Sequence, residues 1–137
     1  MLLKRLAQEF PTESFLIIRY GDHQPQFGVR LIDPALGKEE LAKRAKALDP
    51  RYLMTYYALD AVNFAPVDIT SALDRLDAPY LPLVALQAAG VPLDASFAEQ
   101  RAILQRCGGL FYSCEEGGQA SRLNRLLIDA GLIRGYR

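Results

Sequence analysis

The chain has 137 residues, 50% of them hydrophobic, and 16 basic side chains balance 16 acidic ones for a formal net charge of zero. That length suits one domain with a proper core, and the charge balance argues against a general nucleic-acid binder, which carries a basic excess or a basic stripe. No apolar run reaches the roughly 20 residues of a membrane helix.

Taken in chain order, "MLLKRLAQEFP" predicts a short amphipathic helix with Leu3, Leu6 and Phe10 on one side. Its apolar stretch is too short for a signal peptide, so a soluble chain without an address of its own is expected. "SFLIIRY", residues 14 to 20, is the first strand; its Phe15 to Ile18 run is continuous rather than alternating, which suits a strand covered on both faces of a parallel sheet. "GDHQPQFG" reads as a loop bracketed by Gly21 and Gly28 and stiffened by Pro25. Residues 38 to 48 form a surface helix, with Leu41, Ala45 and Leu48 at helical spacing, ended by Asp49-Pro50. "RYLMTYYAL", residues 51 to 59, is rich in aromatic and apolar side chains and predicts a second strand, followed by a loop over "DAVNFAPVD".

The rest of the chain reads as helical. Leu83, Val84 and Leu86 lie in a helix over residues 79 to 89 with Gly90 as its stop. "SFAE", Ser96 to Glu99, matches a capping box and predicts a helix from about residue 97 to 106. "ASRLNRLLIDA" predicts a last helix with Leu123, Leu126, Leu127 and Ala130 inward and Gly131 as its stop. Arg122, Arg125, Arg134 and Arg137 gather near this end and read as a solvated helix face and tail. The order predicts an α/β fold with a partial, mostly parallel sheet flanked by helices. It forms a single domain or domain fragment, with a strand-containing half over residues 1–70 and a mainly helical half over 71–137. Two strands make a poor sheet, so further strands are sought around Val29 to Ile32 and Leu110 to Tyr112, or in polypeptide outside this chain.

Two places bear on chemistry. Cys107 and Cys114, in "CGGLFYSC", are either ordinary thiols in a reducing compartment or a small-loop disulfide in an oxidising one, with Gly108 and Gly109 letting the backbone turn. The second place is the dipeptide Asp22-His23, which holds the single histidine of the chain just past the C-terminal end of the first strand. Ligands bind at such strand ends in open α/β sheets, and Gly21 frees the backbone so that both side chains converge. A carboxylate with an imidazole suits a divalent cation such as zinc or manganese, or a base with its orienting acid. The plainer alternative is a capping aspartate beside an exposed histidine. Thr12, Ser14 and Thr55 lie in no recognisable nucleophile motif. An adjacent Asp-His pair rarely gives a Ser-His-Asp arrangement, because the acid must reach the far ring nitrogen.

"FLIIRYGDHQP" resembles the metal-ligand strand and loop of the alkaline-phosphatase superfamily, in particular the sulfatase-like branch that includes lipoteichoic acid synthases and phosphoethanolamine transferases. The likeness continues more weakly through Tyr52, Thr55 and Asn63, and through the leucine-rich "LDAPYLPLVALQAAGVPL" with its Gly-x-Pro-Leu turn. The resemblance implies that Asp22 and His23 ligate a catalytic zinc or manganese. It also implies that a threonine or serine nucleophile and further acidic ligands belong to an upstream part of the domain. The chain then corresponds to the C-terminal portion of a phosphoryl or sulfuryl transferase or hydrolase acting on a phosphate or sulfate ester, and is inactive alone. If the parent is membrane-anchored, its catalytic part faces the periplasm or the outside, and Cys107 and Cys114 are bridged. The expected partner is the missing N-terminal part of the domain or a second copy of the chain. The alternative is a non-enzymatic module that associates through an exposed sheet edge or apolar face.

Overall fold

The computed structural model of the chain describes residues 1–24, 26–47, 49–69 and 75–134. Pro25, Leu48 and Arg137, which figure in the sequence reading, lie outside the described residues. In chain order the elements are α1 (Leu2–Glu9), β1 (Phe15–Tyr20), α2 (Gln26–Ile32), α3 (Lys38–Lys46), α4 (Pro50–Leu53), β2 (Tyr57–Val62), α5 (Leu81–Ala88), α6 (Ala95–Cys107) and α7 (Gly118–Asp129), with 3-10 turns at Ala78–Tyr80 and Cys114–Gly117. The fold is mixed α/β. Among the described residues, no helix is long and apolar enough to cross a membrane.

The sheet differs from expectation. β1 and β2 pair as a two-stranded antiparallel sheet rather than part of a mostly parallel one. The segment between the strands holds three helices, yet the chain returns in the opposite direction, and the Gly21 N–H extends the ladder by donating to the Tyr56 carbonyl at 3.0 Å. A continuous apolar run reports the demand for cover, not the direction of the neighbouring strand. Phe15, Leu16 and Ile17 are half-buried, while Ile18 is exposed. Arg19 and Asp60 join the two strands through an ion pair at 2.8 Å. The two further stretches examined for strands form none: Val29 to Ile32 belongs to α2, and Leu110 to Tyr112 is irregular.

The chain divides into two units, one made of Met1–Leu16 with Ala61–Arg137 and the other of Ile17–Asp60. The core of the first unit is Tyr80, Leu83, Ile103, Phe111 and Leu123, with Phe97, Leu104 and Leu127 among the half-buried side chains packed on it. Tyr80 and Phe111 meet edge to face at 5.4 Å, a favoured aromatic geometry. Burial pushes the Tyr80 hydroxyl up to about 12, and it donates to the Leu110 carbonyl at 3.3 Å.

Helix α6 begins two residues earlier than the capping-box pattern predicts. Asp94 is its N-cap, accepting the Phe97 N–H at 2.9 Å and the Ser96 hydroxyl at 2.7 Å. The helix ends at a left-handed Gly108 (φ 57°), where glycine carries no steric penalty. Beyond it the irregular segment is held from outside, because the Asp77 carboxylate accepts the N–H groups of Phe111 at 2.6 Å and Tyr112 at 3.0 Å. Those donors have no strand to pair with, and a buried N–H needs a partner. In α7, Leu123 is buried and Leu127 half-buried, but Leu126 and Ala130 face solvent.

The second unit carries α2, α3, α4 and most of both strands. The predicted strand over residues 51 to 59 is instead a helical turn followed by a strand starting at Tyr57. Proline suits a helix's first position, and Asp49 accepts the Arg51 N–H at 3.1 Å while pairing with its guanidinium at 2.7 Å. This local capping overrides the β-propensity of the aromatic run. The strand also runs further than expected, to Val62, and Asn63 ends it with a left-handed φ of 62°.

Candidate metal centre

The Gly21–Gln24 loop leaves β1 and is held by the segment Met54–Tyr56 at three points. The Gly21 N–H donates to the Tyr56 carbonyl at 3.0 Å. The Gln24 side-chain amide donates to the Met54 carbonyl. Between them, a Cβ on Gly21 would overlap Thr55 Oγ1 and lie 3.3 Å from Thr55 Cβ. Gly21 does not take a left-handed φ. Glycine is required here for close approach, not for the backbone freedom that the sequence suggests.

Asp22 and His23 project from this loop into solvent, with side chains 80% and 75% exposed, and His23 Nε2 lies 3.7 Å from Asp22 Oδ2. The opposite ring nitrogen, Nδ1, sits 2.9 Å from the carbonyl oxygen of Gln24. Zinc binds imidazole nitrogen and carboxylate oxygen at about 2.0–2.2 Å, so two donors on one ion are separated by at most about 4 Å. The observed spacing fits two positions around a single cation. Among the described residues, no group of three or more His, Cys, Asp or Glu side chains is gathered to complete a site. Asp22 and His23 are thus two potential donors on an exposed loop, and no third donor is gathered beside them among the described residues.

Cys107 and Cys114 are bonded to each other, with Cα atoms 5.6 Å apart, and neither is a free thiol. They join the end of α6 to the turn before α7 in the first unit, whereas Asp22 and His23 belong to the second. Thr55 packs against Gly21. Asn63 donates through Nδ2 to the carbonyls of Phe10 and Glu13, both at 2.8 Å, and so holds the α1–β1 connection. Tyr52 is buried in the second unit, with the guanidinium groups of Arg44 and Arg51 5.7 and 5.5 Å from its ring centre. The sequence assigns Gln24 no role. The only signal was its adjacency to the Asp-His pair, and the Met54 carbonyl it binds leaves no mark in the sequence.

Comparison with protein-family models, with curated proteins and with solved structures finds no match.

Proposed function

We propose that the Gly21–Gln24 loop contributes two ligands, Asp22 and His23, to a divalent-metal centre, with zinc or manganese as the ion. On this reading the chain is the C-terminal portion of a sulfatase-like phosphoryl or sulfuryl transferase or hydrolase. The observation that supports the two ligand roles is the 3.7 Å spacing between His23 Nε2 and Asp22 Oδ2 on a loop pinned to Met54–Tyr56. A catalytic zinc takes three protein ligands and keeps one position open, so Asp22 and His23 need at least one further ligand, which on this reading belongs, with the threonine or serine nucleophile, to the upstream part of the resembled domain. A cation held by Asp22 and His23 would supply Lewis-acid chemistry toward a phosphate or sulfate ester. Asp22 supplies negative charge to balance the cation, and His23 binds in its neutral form. Alone, the chain binds metal weakly and does not turn over ester substrates.

Titration calorimetry of the full chain with zinc and manganese tests this. One-to-one binding that is lost in both Asp22→Ala and His23→Ala is the expected result. No binding at millimolar metal overturns it.

A second reading rests on a different observation. Ile18, Tyr20, Phe27, Leu31, Met54 and Tyr56 are all exposed on the Ile17–Asp60 unit, and contiguous exposed apolar patches are the surfaces through which proteins associate. Under this reading the chain is a non-enzymatic module, and concentration-dependent self-association without metal binding is its signature.

A further inference from the structure

Resting on the metal-centre reading, we infer that Gln24 is a positioning residue that selects which nitrogen of His23 is the ligand. The Gln24 side-chain amide is bonded to the Met54 carbonyl, which anchors Gln24 to the segment before β2. The backbone carbonyl of the same residue lies 2.9 Å from His23 Nδ1. A carbonyl oxygen only accepts, so Nδ1 carries the hydrogen in this contact, and in the neutral ring the free lone pair is on Nε2. Nε2 is the nitrogen that faces Asp22 Oδ2. One amide therefore acts through its own peptide on the neighbouring ring. It fixes the tautomer and the ring's orientation, and leaves the lone pair on the side where the carboxylate stands. Metal-bound histidines commonly have their second nitrogen held by a carbonyl or carboxylate, and loss of such a partner costs about 10–100-fold in metal affinity.

His23 is the single histidine of the chain, so its imidazole signals need no further assignment. Long-range proton–nitrogen correlation spectra of the full-length, metal-free protein, recorded where the ring is neutral, report the tautomer directly. The wild type is expected to hold hydrogen on Nδ1. Gln24→Ala and the near-isosteric Gln24→Glu, whose ionised carboxylate has no hydrogen to donate, are expected to give a mixture of tautomers. Both are also expected to weaken zinc binding by about 10–100-fold, with amide spectra unchanged for α5, α6 and α7. A wild-type ring with its hydrogen on Nε2, or variants that keep the wild-type tautomer, overturns the inference. A wild type that holds the stated tautomer, loses it in both variants and yet binds no zinc supports the role of Gln24 toward His23 and overturns the metal reading instead.

Discussion

Gly21 meets Thr55 so closely that the smallest side chain is too large for the position. In Gly21→Ala the new methyl group overlaps Thr55 Oγ1. Rotation of the threonine relieves only part of this, because its Cγ2 also lies 3.5 Å from the same position. Overpacking of this kind costs about 1–3 kcal/mol, and urea denaturation of Gly21→Ala should register a loss in that range. Adding Thr55→Ala should recover most of it. A double variant as unstable as the single one would mean that the cost lies in the backbone rather than in the contact. Asn63 is the second residue with a structural task. Its left-handed φ suits asparagine or glycine, and its amide bonds two carbonyls. Asn63→Gly keeps the backbone but loses both bonds, for about 1–2 kcal/mol at a net value near 1 kcal/mol per bond. Asn63→Ala adds about 1 kcal/mol of left-handed strain. Equal stability of the two variants in the same denaturation assay would contradict this division.

Helix α6 is capped by an ionisable side chain, Asp94. The Phe97 N–H, followed by the Ser96 hydroxyl, holds the Asp94 carboxyl below the ordinary carboxylate value. The side-chain hydrogen bond from Arg51 does the same for Asp49 ahead of α4. A carboxylate whose folded pKa lies below its unfolded one contributes stability above the unfolded value, and loses it as pH falls through the folded value. The denaturation midpoint should therefore drop as pH falls below about 4, where an unperturbed aspartate titrates. Asp94→Asn, which keeps an acceptor for Phe97, should flatten that drop, whereas Asp94→Ala should lower the midpoint at neutral pH. An unchanged acid slope in Asp94→Asn would place the dependence on other groups. The position of this cap marks how far the sequence is readable. Periodic apolar residues, the capping-box pattern, Asp49-Pro50 and terminal glycines locate α3, α5, α6 and α7 to within a few residues, because those signals are local. Ser96 resembles a cap in sequence, but Asp94 binds both the backbone and Ser96 itself. The antiparallel pairing of β1 with β2 is not readable, since apolar runs do not encode a neighbour's direction. Of the candidate site, the Asp-His pair is visible as two chemical side chains after an apolar strand. The Met54 and Tyr56 carbonyls that hold its loop are invisible, because every residue carries the same group.

Burial is distributed unevenly over the whole molecule, and this should govern how it opens. Among the described residues, Val62, Tyr80, Leu83, Val84, Ala88, Ile103, Phe111 and Leu123 are buried in the unit that contains α5, α6 and α7, whereas Tyr52 is the buried hydrophobic residue of Ile17–Asp60. Regions with few buried apolar contacts open at low free-energy cost, and amide exchange reports each opening separately. The disulfide adds to the contrast. It closes a loop whose ends are seven positions apart, at the junction of α6 and the turn before α7. In the chain-entropy model a ring of that size stabilises by roughly 2–3 kcal/mol. Amides of α2, α3 and α4 should then exchange before those of α5, α6 and α7 in the oxidised protein. Replacing both Cys107 and Cys114 by serine should lower the protection of α6 and α7 by an amount approaching the disulfide's contribution, while α2, α3 and α4 exchange as before. A uniform rise in exchange across the chain would mean that both units open in one cooperative step. In that case the sparse core of Ile17–Asp60 would not be an opening unit of its own.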